Sequence, residues 1–170
     1  MIKYIYVHKF KSLINNIFWK YLLSKKFKEY GLGSNIYSPD YIVGDEYISI
    51  QANVYIGYKA SIIVLKEGVN TPNLVIGTGT KIRRFFHLVC IEQVIIGQDV
   101  LIADKVLITD NIHGYKDVTK PILQQPLESL SKVSIGDGTC LGENVSVIGA
   151  SIGKHCTIGA NSVVISDIPD

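Results

Sequence analysis

A hydrophobic repeat of six residues constrains this chain more than any other feature. Ile76-Gly77 is followed by Ile82 and Leu88, and Ile96-Gly97 by Ile102 and Ile108. Ile135-Gly136 leads to Leu141-Gly142 and Val147, then to Ile152-Gly153, Ile158-Gly159 and Val164; upstream, Ile50, Ile56-Gly57 and Ile62 keep the same spacing. A second column stands two residues before many of these positions: Val54, Ala60, Leu74, Thr80, Val94, Val100, Val106, Thr139, Val145, Cys156 and Ser162. An amphipathic helix returns to its apolar face every three to four residues and a regular strand alternates by two, so neither fits. The pattern reads as short strand, corner, short strand, corner, with one aliphatic and one small or β-branched residue pointing inward on each side. Three sides close a coil of about 18 residues, and stacked coils bury continuous aliphatic columns. The glycine after each inward aliphatic residue is expected to serve a sharp corner or a positive φ.

Departures from the rhythm mark outgrowths. Ile62 to Ile76 carries eight extra residues, with Gly68 and Pro72 inside, and Leu88 to Ile96 carries two, around Glu92 and Gln93. Ile108 to Ile135 carries 21, an arm at about 109–132. Pro121 and Pro126 suggest an ordered arm without regular structure. Loops projecting from a rigid scaffold are where sites usually sit. The domain division expected is an N-terminal segment over 1–31 and an all-β prism over 32–170.

The N-terminal segment differs in kind. Phe10, Leu13, Ile14, Ile17, Phe18, Tyr21 and Leu22 recur at helical spacing, and Lys9, Lys11, Lys20, Lys25, Lys26 and Lys28 fill most of the other face. An amphipathic helix over 9–29 capping the first coil is the main expectation, with peripheral contact to an anionic membrane surface or acceptor binding as the alternative. Residues 1–30 hold seven lysines against one glutamate, whereas the remainder is net negative within an overall charge of +2. Positive charge confined to one end argues against a nucleic-acid partner. Cys90, Cys140 and Cys156 form no CxxC pattern and no disulfide framework, which indicates a reducing, cytoplasmic setting. The start is too interrupted by charge for a signal peptide, and no window is apolar enough to span a bilayer.

Four histidines are available as proton-transfer groups. His8 has no evident partner, and His155 sits at a repeat corner as a surface residue. His87 precedes the inward Leu88 and so faces outward, close to the coil before the arm. His113 stands at the arm's root among Asp110, Asn111, Gly114, Tyr115 and Asp117. Imidazole exchanges a proton near neutral pH, which makes it the usual general base. Cys156 falls in the inward column, and Cys140 has no assured base beside it, so covalent catalysis through a thiol fits poorly.

The repeated aliphatic-Gly register over 32–170 resembles the hexapeptide-repeat acyltransferases, and the resemblance implies that the prism is left-handed. The stretch Thr109-Asp110-Asn111-Ile112-His113-Gly114-Tyr115, with Pro121-Ile122 and Gln125-Pro126-Leu127, is similar to sugar O-acetyltransferases of polysaccharide biosynthesis and to the galactoside and maltose acetyltransferases. Many of the polysaccharide enzymes carry a stretch like D-H-x-H-G there, with a histidine as base. Here Asn111 holds the first histidine position, leaving the role to His113. The resemblance also implies acetyl-CoA as co-substrate without a metal, and a homotrimer with sites between subunits. It implies an oxyanion donor at the Glu143 backbone amide and pantetheine contacts at Gly142, Gly159 and Ala160. The acceptor implied is a hydroxyl on a sugar or glycan precursor. Asn111, Asp110, Tyr115, His87 and Arg83 are the candidates to contact it; the Arg83 and Arg84 pair could equally be solvated.

Four other readings compete. Acetylation of an amino sugar nitrogen uses the same parts. Serine acetyltransferases carry a large helical domain for which residues 1–30 are too short. The γ-type carbonic anhydrases need three zinc-binding histidines, including a close pair that this chain lacks. A prism acting only as a scaffold has no need of the long arm. The family typically continues past Asp167-Ile168-Pro169 with a basic tail, and the sequence stops at Asp170, so a shortened end is expected to weaken coenzyme binding.

Overall fold

The computed structural model describes residues 24–170. Three parallel sheets wind into a three-sided prism, a left-handed parallel β-helix. The first face has five strands and the second and third have six each. One coil shows the plan: Gln93–Ile96 on the first face, Leu101–Ile102 on the second and Leu107–Thr109 on the third. Each strand pairs in parallel with those one coil below and above, so the six-residue columns stay in register. Ile36, Ile56, Ile82, Ile102, Leu141 and Ile158 line one inner edge. Ile62, Leu88, Ile108, Val147 and Val164 line another. Apart from Ile158 and Val164, 8% and 6% exposed in the last coil, these side chains are almost fully buried. Burying each contributes on the order of 1.5–3 kcal/mol.

The repeating glycines stand at the corners, as their spacing suggests, but not for positive φ. Glycines following inward residues, such as Gly77 and Gly136, do not adopt positive φ. They lie against the next coil instead: a Cβ on Gly77 would stand 2.4 Å from the Gly97 carbonyl carbon, and one on Gly136 equally close to that of Gly153. Positive φ falls two residues later, on Gly79 and Gly138, and at other corners on Asn53, Lys59, Asp99, Lys105, Asn144 and Asn161. Asparagine and aspartate tolerate that region better than most side chains.

One corner column contains hydroxyls, each joined to the coil above it. Ser34 Oγ donates to Gln51 O, Thr80 Oγ1 to Gly97 O and Thr139 Oγ1 to Gly153 O. Each also accepts from an amide in that next coil, from Val54, Val100 and Cys156 in turn. Hydroxyl coils therefore alternate with coils bearing Val or Cys, and the buried Thr80 and Thr139 are fully partnered.

Strand pairing begins at Glu29, which pairs with Ser49, ahead of the expected boundary at residue 32. Residues 24–26 form a single 3-10 turn. The rest of the expected amphipathic helix, residues 9–23, and His8 lie outside the described residues. The 109–132 arm has more structure than its prolines suggest. Asn111–His113 pairs antiparallel with Leu127–Ser129, and Ile122–Gln124 makes a 3-10 turn at the tip. Pro126 and Pro121 flank these elements, where no ladder amide is lost.

Candidate active site

The arm leaves the third face directly after Thr109 and folds back over that face. It encloses a groove of about 360 Å³ lined by Ile63, Leu65, Val89, Leu107 and Thr109 from the sheet and by Asn111, Ile112, His113 and Leu127 from the arm. The sheet residues alternate with the inward column and so point outward. His113 is exposed, on the strand that pairs with Leu127.

Asp110 fixes the root of this arm. Its side chain is fully buried and its carboxylate accepts from the backbone amides of Ile91, Glu92 and Gln93 at 2.8–3.2 Å. Asn111 Nδ2 adds a fourth donor at 2.8 Å. The two extra residues around Glu92 thus form the corner that encloses this carboxylate. A substrate contact at Asp110 is therefore corrected: its oxygens face main-chain donors inside the protein. The nearby Cys90 thiol is pushed far up by burial and by the Asp110 carboxylate, which keeps it protonated and inert. Further out, Gln125 bonds the backbone of Asp117 and Lys120, and Lys116 pairs with Glu128 at 2.9 Å. These contacts give the arm a defined shape.

The other expected residues are dispersed. His87 lies exposed on the third face, in register with the groove residue Leu107 but not lining the groove. Tyr115 is 59% exposed on the arm beyond the paired strands. Arg83 is exposed at the corner between the second and third faces; beside it, Arg84 donates from Nε and Nη2 to Asp104 Oδ2. Glu143 occupies the equivalent corner two coils above Arg84, and its N–H makes no hydrogen bond among the described residues. Its carboxylate pairs with Lys105 at 3.2 Å. A Cβ on Gly142 would meet Ala160 N at 2.7 Å, so coil packing explains that glycine. Gly159 differs: a Cβ there would meet only Ser162 Oγ at 3.8 Å, and the residue borders an open groove with Thr157 and Ser162. Sequence reasoning missed the wall formed by Ile63, Leu65, Val89 and Leu107. The signal was present, since each stands next in sequence to an inward residue: Ile63 and Leu65 beside Val64, Val89 beside Leu88, and Leu107 beside Ile108.

The architecture defines a class, the hexapeptide-repeat prisms with a long arm on one face. A family model, the hexapeptide repeat of succinyl-transferase, matches residues 132–166. The chain is 36% identical over 139 residues to the putative lipopolysaccharide biosynthesis O-acetyl transferase WbbJ of Escherichia coli (strain K12), covering 78% of this chain and 69% of that protein. It is 37% identical over 122 residues to the putative acetyltransferase YJL218W of Saccharomyces cerevisiae, covering 71% and 55%. Among solved structures, an AntD N-acyltransferase mutant from Bacillus cereus, in complex with dTDP and coenzyme A, superposes with a TM-score of 0.71 at 20% identity, covering 85% and 76%. A maltose O-acetyltransferase from Clostridium difficile 630 gives 0.51 at 22% identity, covering 96% and 76%. The chain belongs to the hexapeptide-repeat acetyltransferase family.

Proposed function

We propose that this protein transfers acetyl from acetyl-CoA to a hydroxyl of a sugar or glycan precursor, with His113 as general base. The observation that carries the reading is His113 on the wall of the arm groove, which neither of the other described histidines, His87 and His155, lines. The imidazole takes the proton of the acceptor hydroxyl as that oxygen attacks the thioester carbon. The unbonded Glu143 N–H meets the developing oxyanion, and a fixed amide there stabilises charge that appears only in the transition state. His113 stands on the arm and Glu143 at a corner of the prism, and the groove holds only the first. A homotrimer, with the arm of one copy beside the Glu143 corner of the next, completes the site. The space over Gly159 suits the pantetheine arm. Relatives named for lipopolysaccharide biosynthesis and for maltose acetylation support a saccharide acceptor, and the supply of acetyl-CoA favours a cytoplasmic reaction. Among the described residues no helix is long and apolar enough to cross a membrane; contact of residues 9–29 with the inner face of the membrane stays part of the proposal.

Thiol release from acetyl-CoA with a panel of sugars tests the chemistry. His113→Ala should lower kcat by about 10²–10⁴, and unchanged turnover in that variant would sink the assignment. Sedimentation should give a trimer; a stable monomer at micromolar concentration argues against a composite site.

A further inference from the structure

The arm groove contains a polar atom that the mechanism above leaves unused. Asn111 is only 5% exposed, and its Nδ2 donates to Asp110 Oδ1 at 2.8 Å and to Val89 O at 3.4 Å. Both partners are acceptors, so the amide is held with its NH₂ turned toward them. Asn111 Oδ1 is then the polar atom left for the groove that the residue lines. No donor among the described residues bonds to it. His113 follows two residues later on the same strand, so both side chains leave the backbone on one side, about 7 Å apart at Cα, and both line the groove.

Two acceptors thus stand side by side, an imidazole nitrogen acting as base and a carboxamide oxygen. A single hydroxyl has one proton and satisfies only one of them. We propose that the acceptor is a sugar bearing a vicinal diol: one hydroxyl donates to His113 and is acetylated, and its neighbour donates to Asn111 Oδ1. The proposal rests on the sugar O-acetylating reading above. In the step, the imidazole takes the proton of the first hydroxyl as its oxygen bonds to the thioester carbonyl carbon. The C–S bond then breaks, and the departing sulfur takes that proton from the imidazolium and leaves as the thiol. The second hydroxyl keeps its proton throughout and sets which oxygen attacks. Asp110 is a positioning residue that acts through Asn111. Ile63, Leu65, Val89 and Leu107 face the carbon side of the ring.

The test uses the full chain, acetyl-CoA, and the methyl α-pyranosides of glucose, galactose and mannose. NMR of the product identifies the acetylated oxygen, and the monodeoxy analogue lacking the adjacent hydroxyl is then compared with its parent. In the wild type, removing that hydroxyl should raise KM about fivefold to tenfold with little change in kcat, the loss of one hydrogen bond to a buried acceptor. Asn111→Ala should abolish the difference between parent and deoxy sugar, whereas His113→Ala should lower kcat for both. Equal KM for parent and deoxy sugar in the wild type overturns the proposal, as does discrimination that survives in Asn111→Ala. If Asn111→Ala does not fold, the wild-type comparison decides alone. A 2-amino sugar acetylated on nitrogen in preference to every diol also overturns it, because one amine satisfies both acceptors. Turnover of none of the three glycosides overturns the sugar reading and this inference together, while full turnover by His113→Ala removes only the base.

Discussion

At equivalent corners of the prism, two backbone amides meet different surroundings. The Arg84 N–H donates to the Asp104 carboxylate of the next coil at 3.0 Å, whereas the Glu143 N–H has no partner among the described residues. Glu143→Pro removes that donor without breaking any backbone hydrogen bond among the described residues, and the exposed Lys105 pair is lost equally in an alanine control. It should lower kcat by about 10²–10³ with the fold retained by circular dichroism, while Glu143→Ala, which keeps the amide, should leave kcat within a few fold. Equal effects of the two substitutions would remove the amide from the mechanism. Asp110 acts on stability. Asp110→Ala leaves three main-chain amides, that of Ile91 buried and those of Glu92 and Gln93 half-buried, without this acceptor and should destabilise the protein by about 2–4 kcal/mol, read as a lower denaturation midpoint. The position of Asp110 beside His113 was legible in the sequence, but its burial was not. Its partners are main-chain amides 17–19 residues earlier, and only the stacking of coils brings them together.

At the scale of elements, the arm and the coils carry separate loads. The ladders joining Val94 to Val133 and Leu107 to Ser146 close the prism beneath the arm without using its tip. Replacing residues 116–125 with a short Gly-Ser linker should therefore shift Tm by only a few degrees, while turnover falls because the strand carrying His113 loses the Lys116–Glu128 pair and the ordered tip that hold it against Leu127. A large fall in Tm would show instead that the arm is part of the core. The insertion's place and length followed from counting sixes between Ile108 and Ile135. Its hairpin did not, because three-residue strands on either side of Pro126 carry too little alternation to be read. For the glycines, periodicity records the corner and the need for a small residue, and only the neighbouring coil shows that close approach rather than positive φ demands it. Gly97→Ala, whose Cβ would meet Ile135 O and Asp137 N at 2.9 Å, should cost about 1–3 kcal/mol. Gly159→Ala should leave stability unchanged and raise KM for acetyl-CoA.

For the molecule as a whole, acid is the natural stress. The Arg84 guanidinium holds Asp104 below the usual carboxylate range. The Gln98 amide, with Lys154, does the same for Asp137, and the Thr119 hydroxyl, with Lys120, for Asp117. A depressed folded pKa means that the folded state binds fewer protons than the unfolded one at the same pH. Stability from these groups is complete above the unfolded value near 4 and is lost as pH falls through the lower folded values. Tm should be flat from pH 7 to about 5 and drop below 4, and Asp137→Asn should flatten that drop; an unchanged acid limb would assign it to other groups.

The alternation of Ser34, Thr80 and Thr139 with Val54, Val100 and Cys156 sets the unit in which such a prism can grow. A duplication of one coil would set two coils of the same kind next to each other, either doubling a hydroxyl or leaving a valine amide with no oxygen beneath it. A duplication of two coils reproduces every bond. Lengthened versions of this protein should therefore tolerate tandem additions in even numbers of coils, and an ancestral tandem event would have left a period near 36 residues beneath the visible period of six.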